Sequence, residues 1–304
     1  MKRCPITYEI IPADKNYSAK GLKLLAPKLQ DIQVLALTAQ EIRDACQMSI
    51  PGIQAKVGAI LKINENRFAV ANQNSAYILK PQSSSYAELP ENEALTMTLA
   101  SIIGIDTPLH GLIYGIDGNL TYFIKRFDRS SHKNKIAVED FTQLSQASRD
   151  SKAASSMEKI ASLIEEFCSF PKLEVIKLFK LTLFNFLCGN ADMHLKNFSL
   201  ITSDKKIFLA PIYDLLNTTI VQAKTKEEIA LPLNGKKRHL TAEDLINYYG
   251  AQLHLNKKII SQVVHEIKHA LPLWKALIKH SFLSEEMKIK YLNLLVERCQ
   301  CLKL

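Results

Sequence analysis

The chain has 304 residues, 47% of them hydrophobic and 23% charged, enough for two lobes that each bury a core and too apolar for wholesale disorder. Its 39 Lys and Arg against 30 Asp and Glu give a net charge of +9, which favours anionic partners such as nucleotides, but the basic residues lie in short clusters and no nucleic-acid-binding arm or direct nucleic-acid binding is expected. Six cysteines without a CxxC pair exclude a disulfide framework, and no apolar stretch reaches the ~18 residues of a membrane span or forms a signal-peptide core, so a cytoplasmic location is expected, with a non-classical route into a host left open.

In chain order, the first expected element is a helix in TAQEIRDACQ, where Thr38 and Glu41 have the spacing of a capping box. From Lys56 to Lys80 the runs VGAILKI, RFAVAN and AYILK, punctuated by asparagines, read as antiparallel strands. ENEALTMTLASIIGI has helical apolar spacing, acidic residues in its first turn and Gly104 near its end. LHGLIYGI and LTYFIKRF, joined at Asp117-Gly118, read as a hairpin. Beyond Phe127 the pattern turns helical, in SMEKIASLIEEFC, EVIKLFKLTLFNFLCG and the tail from Glu243. A β-rich N-terminal lobe, residues 1–127, followed by a mostly helical lobe, residues 128–304, is an α+β arrangement.

The segment FNFLCGNADMHLKNFSL carries the chemistry. An apolar helix runs into Gly189, and a polar cluster with Asp192, His194, Lys196 and Asn197 follows before apolar character returns. Phosphoryl transfer needs a carboxylate to accept a hydroxyl proton and an amide oxygen to hold magnesium, and Asp192 and Asn197 stand five residues apart, as in a protein-kinase catalytic loop. Asp214, seventeen residues beyond Asn197 and after the strand-like KIFLAPIYD, is where a second magnesium carboxylate is expected. Spacing alone leaves an ordinary loop open, with these side chains serving as helix caps.

GNADMHLKNFSL followed by LAPIYDLLNT resembles the catalytic and magnesium motifs of the HipA kinase family, and CPITYE, MSIPGIQAKV, YILKP, ENEALTM and KRFDR follow in that family's order. The resemblance implies a bilobal, protein-kinase-like fold and an ATP- and Mg2+-dependent serine/threonine kinase with Asp192 as catalytic base and Asn197 and Asp214 on the metal. Lys80 matches the ATP lysine; Glu93, or Glu91 if the register differs, is its expected partner. Lys125 and Phe127 match the hinge beside adenine, and His194 and Lys196 belong to the ATP-facing loop, His194 chiefly locking it. SIPGIQAKV resembles the phosphate-binding loop, with Gly52, Gln54 and Lys56 as ATP contacts and Ser49 as the autophosphorylated serine. Pro51 stands where some relatives carry a second hydroxyl, which puts two-site regulation in doubt.

HipA proteins usually carry a small subdomain before the CPLTYE-like segment, whereas here that segment begins at Cys4, so the chain resembles the short HipT-like members of three-gene systems. The partners this implies are a small HipS-like protein, a DNA-binding HipB-like antitoxin and a protein substrate, by resemblance an aminoacyl-tRNA synthetase. A host-directed effector kinase and an inactive nucleotide-binding module are the alternatives.

Overall fold

The computed structural model describes residues 2–29, 55–71, 73–83, 85–115, 118–129, 135–145, 155–222 and 226–304. The expected helix with its Thr38–Glu41 capping box, and Asp117 of the hairpin turn, lie outside the described residues. The chain divides into two compact units, one of residues Met1–Leu95, Pro108–Lys135 and His280–Leu283, the other of Thr96–Thr107, Ile136–Lys279 and Ser284–Leu304.

The first unit is built on a five-stranded antiparallel sheet of β1 (Val57–Lys62), β2 (Arg67–Val70), β3 (Tyr77–Lys80), β4 (His110–Tyr114) and β5 (Leu120–Lys125), in the order β2-β1-β3-β5-β4. Alternation places Val57, Ala59, Phe68, Tyr77, Leu79 and Phe123 on one buried face. Against it pack Cys4, Ile6, Leu22 and Leu25, the last two on helix α1 (Ala19–Leu25), which Ser18 caps by accepting from Gly21 N. Phe68 and Tyr77 meet edge to face with ring centroids 5.1 Å apart. Phe68 is wholly buried, and its truncation to Ala carries the usual cost of about 3–5 kcal/mol for a core aromatic.

Helix α2 (Leu89–Ile102) begins in the first unit and continues in the second. It stops because Gly104 takes a left-handed φ of +73°, letting Ile105 N reach back to Ala100 O at 3.2 Å.

The second unit contains α3 (Met157–Phe167), α4 (Pro171–Cys188), α5 (Lys257–Lys279) and α6 (Glu285–Leu302). Ser156 and Ser284 cap α3 and α6, and Pro171 opens α4, where its missing N–H costs nothing. The helical half also holds a three-stranded antiparallel sheet of β6 (Val138–Asp140), β7 (Ser199–Ser203) and β8 (Lys206–Leu209), in the order β6-β7-β8. Buried Glu174 of α4 ties this sheet down by accepting from Leu209 N at 3.0 Å. The tail from Glu243 opens as a π turn, Glu243–Tyr248, before the two long helices. Among the described residues no helix is long and apolar enough to cross a membrane.

Candidate active site

Lys80 ends β3, directly across from Tyr122 of β5. Its Nζ lies 2.7 Å from Glu93 Oε1 on α2 and 5.5 Å from the Tyr122 ring centroid. Both charges are buried, Lys80 to 7% and Glu93 to 2% exposure. Residues two apart on a helix point about 200° apart, so only one of Glu91 and Glu93 can meet Lys80. Glu91 sits apart from the pair, with Oε2 buried and without a hydrogen-bond partner among the described residues, and burial pushes its carboxyl up to about 7.

At the end of β5 the backbone N–H of Lys125 donates to Leu109 O at 2.7 Å and that of Arg126 to Ala76 O at 2.9 Å. Those two donors are therefore used within the sheet. Arg126 clasps Asp128 through two parallel bonds of 2.8 and 2.5 Å, which fixes the chain just beyond the strand. Lys56 is exposed. Ser49, Gly52 and Gln54 lie outside the described residues.

The other candidates belong to the second unit. Helix α4 ends at Gly189, whose φ of +74° allows Asn190 N to bond Asn185 O at 2.9 Å and turns the chain sharply into the loop. Asn185 Oδ1 then accepts from Asn190 Nδ2 at 3.1 Å, and Asn190 Oδ1 accepts from Asp192 N at 3.2 Å. This relay fixes the backbone of Asp192 while its side chain stays exposed. Asp192 O in turn accepts from Asn197 Nδ2 at 3.0 Å and from His194 N at 2.8 Å. Because the amide nitrogen of Asn197 is spent on Asp192, its Oδ1 is the end left to act as an acceptor or metal ligand. Half-buried His194 precedes a single 3-10 turn, Leu195–Asn197, whose middle residue is half-buried Lys196 and which carries Asn197 into β7.

Two clasps bring the Asp214 segment to this loop. Upstream of Asp214, Tyr213 Oη donates to Lys196 O at 2.9 Å, beside Asn197, and sits 2.6 Å from Ser199 Oγ. Downstream, Thr218 Oγ1 accepts from Ala191 N at 2.9 Å, while Thr219 Oγ1 and N both donate to Gly189 O, at 2.9 and 3.1 Å. Asp214 itself stands at a φ of +56°, a left-handed conformation uncommon for a residue with a side chain and concentrated at functional sites. Asn197 and Asp214 offer hard oxygen donors, a set that suits magnesium held by one or two protein groups with phosphates and water completing the shell. Among the described residues no group of three or more His, Cys, Asp or Glu able to hold a metal occurs. The clasping residues Tyr213, Thr218 and Thr219 escape sequence reasoning. Their one visible signal is the Asn-Thr-Thr run after Asp214, where Asn217 caps a short turn by accepting from Ile220 N.

A β-rich unit with a buried lysine–glutamate pair, and a mostly helical unit presenting a loop with Asp, Asn and a following Asp, define a kinase-like α+β fold. The chain belongs to the HipA-like family: the family model for the HipA-like C-terminal domain matches residues 48–274. Among its relatives, the putative kinase Y4mE of Sinorhizobium fredii is 32% identical over 185 residues, 58% of this chain and 44% of that one. A putative kinase of Haemophilus influenzae is 29% identical over 288 residues, 83% of each chain. The serine/threonine-protein kinase toxin HipA of Shewanella oneidensis is 24% identical over 229 residues, and the match spans 52% of its length. Among solved structures, a complex of Shewanella oneidensis HipA with HipB and operator DNA aligns with a TM-score of 0.70 at 21% identity, covering 90% of this chain and 72% of that one. The Helicobacter pylori proinflammatory kinase CtkA aligns with a TM-score of 0.54 at 15% identity, covering 74% and 84%.

Proposed function

We propose that the chain is an ATP- and Mg2+-dependent serine/threonine kinase of the HipA toxin type that phosphorylates a serine of another protein. The observation that carries this reading is the buried Lys80–Glu93 pair, 2.7 Å apart. Desolvating two opposite charges commonly offsets their attraction, so such a pair is a poor device for stability and makes sense where a fixed ammonium is needed. In this reading Lys80 neutralises charge on the α and β phosphates of ATP, and Asn197 Oδ1 and the Asp214 carboxylate hold magnesium. The metal supplies charge neutralisation at the β and γ phosphate oxygens. Asp192 orients the substrate serine and takes its hydroxyl proton as Oγ attacks the γ phosphorus; the bond to the β-γ bridging oxygen breaks and ADP departs.

By resemblance the substrate is an aminoacyl-tRNA synthetase and the outcome translation arrest. The solved Shewanella complex contains HipB on operator DNA, and a HipB-like antitoxin, together with a small HipS-like protein, is the partner set proposed here. Autophosphorylation at Ser49 would add a charge of about −1.5 to −2 that competes with ATP phosphates for the same amides and cations, giving self-inhibition.

Asp192→Asn is the decisive variant. It is expected to abolish phosphate transfer from ATP, to Ser49 and to substrate alike, and to abolish growth inhibition on induction. Phosphoproteomics after induction, with this variant as control, identifies the substrate. A toxic Asp192→Asn protein would refute the catalytic reading and leave a nucleotide-binding module.

A further inference from the structure

Helix α5 contains the run His265-Glu266-Ile267-Lys268-His269, in which two imidazoles stand one turn apart on the same helix face. Their ring centroids are 3.8 Å apart. His269 Nδ1 lies 3.1 Å from His265 O. A carbonyl oxygen only accepts, so Nδ1 carries the proton and Nε2 keeps its lone pair. That is the tautomer found in metal-binding histidines, which commonly donate their other N–H to a carbonyl or carboxylate. Both side chains are exposed and line a cleft of about 580 Å³ with Ile102, Ile103 and Leu273, so a hydrated ion can reach them.

The spacing matches that of zinc-hydrolase helices, in which the glutamate after the first histidine serves as general base. Glu266 is committed elsewhere. Its Oε2 is 2.6 Å from Lys180 Nζ, its Oε1 accepts from Gln262 at 3.0 Å, and Lys180 also donates to Ile103 O at 3.0 Å. Both oxygens of the Glu266 carboxyl are thus held by neighbouring side chains. The glutamate of the motif is tied to other side chains, while the two imidazoles stand one turn apart with their rings adjacent.

We propose that His265 and His269 form a two-imidazole site for a divalent transition ion of borderline softness, nickel or zinc, separate from the candidate active site. Imidazole is a suitable ligand for both ions, and two protein ligands leave the remaining coordination positions to water. Calorimetric titration of the tag-free full chain with nickel chloride, in buffer containing magnesium, tests it. One nickel ion per chain is expected. His265→Gln and His269→Gln should each weaken binding by at least about tenfold, since even the loss of an outer-shell partner costs that much. Nickel should raise the melting temperature of the wild type and not that of either variant. Both positions are exposed, so equal melting temperatures without metal verify that the variants fold. Absence of binding by the wild type, or unchanged affinity in both variants, overturns the site.

Discussion

Gly189 shows how much of the candidate site depends on single atoms. A methyl group there would collide with Leu294 Cδ2 and come within 2.7 Å of Asn217 Oδ1, at a backbone φ of +74° that disfavours any side chain. Gly189 O is also the acceptor for both groups of Thr219, so a shift in this residue moves the clasp as well as the helix end. Gly189→Ala is expected to destabilise the protein by about 1–3 kcal/mol through strain at this position. It should also lower phosphate transfer well beyond the loss of folded protein, because Asp192 follows only three residues on. Urea denaturation and kinase assays at matched folded concentration separate the two effects. Full specific activity would show that the clasp does not position the loop.

At the scale of elements, α2 carries two carboxylates in different circumstances. Glu93 is paired with Lys80, whereas Glu91, in the first turn, is pushed up to about 7 by burial, with Glu88 adding repulsion. A carboxyl raised in the folded state prefers to stay protonated there. Its penalty is absent below the unfolded value near 4.5, grows as pH rises, and is complete above about 7. Glu91→Gln should therefore be more stable than wild type at pH 8.5, by on the order of 2 kcal/mol once partial exposure is allowed for, with the gap narrowing toward pH 5. Urea midpoints at the two pH values measure it, and a gap independent of pH would mean that Glu91 ionises freely. The same helix illustrates what the sequence makes legible. Its apolar spacing and Gly104 stop are readable, yet the register that gives Glu93 rather than Glu91 to Lys80 shows only in three dimensions, where Lys80 Nζ meets Glu93 Oε1. Strands β1, β2 and β3 are legible because alternating apolar runs are separated by asparagine turns. Strand β8 is legible as the start of the strand-like run KIFLAPIYD, whereas β6, of three residues, is too short to show a period and stays hidden inside a half whose helices dominate the pattern. Asp192, Asn197 and Asp214 are visible as a polar cluster between apolar runs. Tyr213, which clasps that cluster through the Lys196 carbonyl, has no distinguishing pattern of its own, and Thr218 is marked only by the Asn-Thr-Thr run.

At the scale of the whole molecule, the candidate groups belong to two compact units, Lys80 and Glu93 to one and Asp192, Asn197 and Asp214 to the other. In the proposed reading both sets act on one ATP, which would make their contributions to binding interdependent. At about 100 times its dissociation constant, MgATP should stabilise the wild-type fold by about 2.7 kcal/mol. In that reading Lys80→Met would remove the ammonium proposed for the phosphates and Asp214→Asn would weaken the proposed metal site, so each should abolish most of that increment. The double variant should then lose little more than either single one, a non-additivity of the size seen when residues share one partner. Comparing ligand-induced shifts, not absolute stabilities, is essential, because Lys80→Met also leaves Glu93 buried without its cation. Thermal melts of the four proteins with and without MgATP give the cycle. Independent, additive losses would mean that Lys80 and Asp214 act on separate ligands, and the kinase reading of this chain would not survive that result.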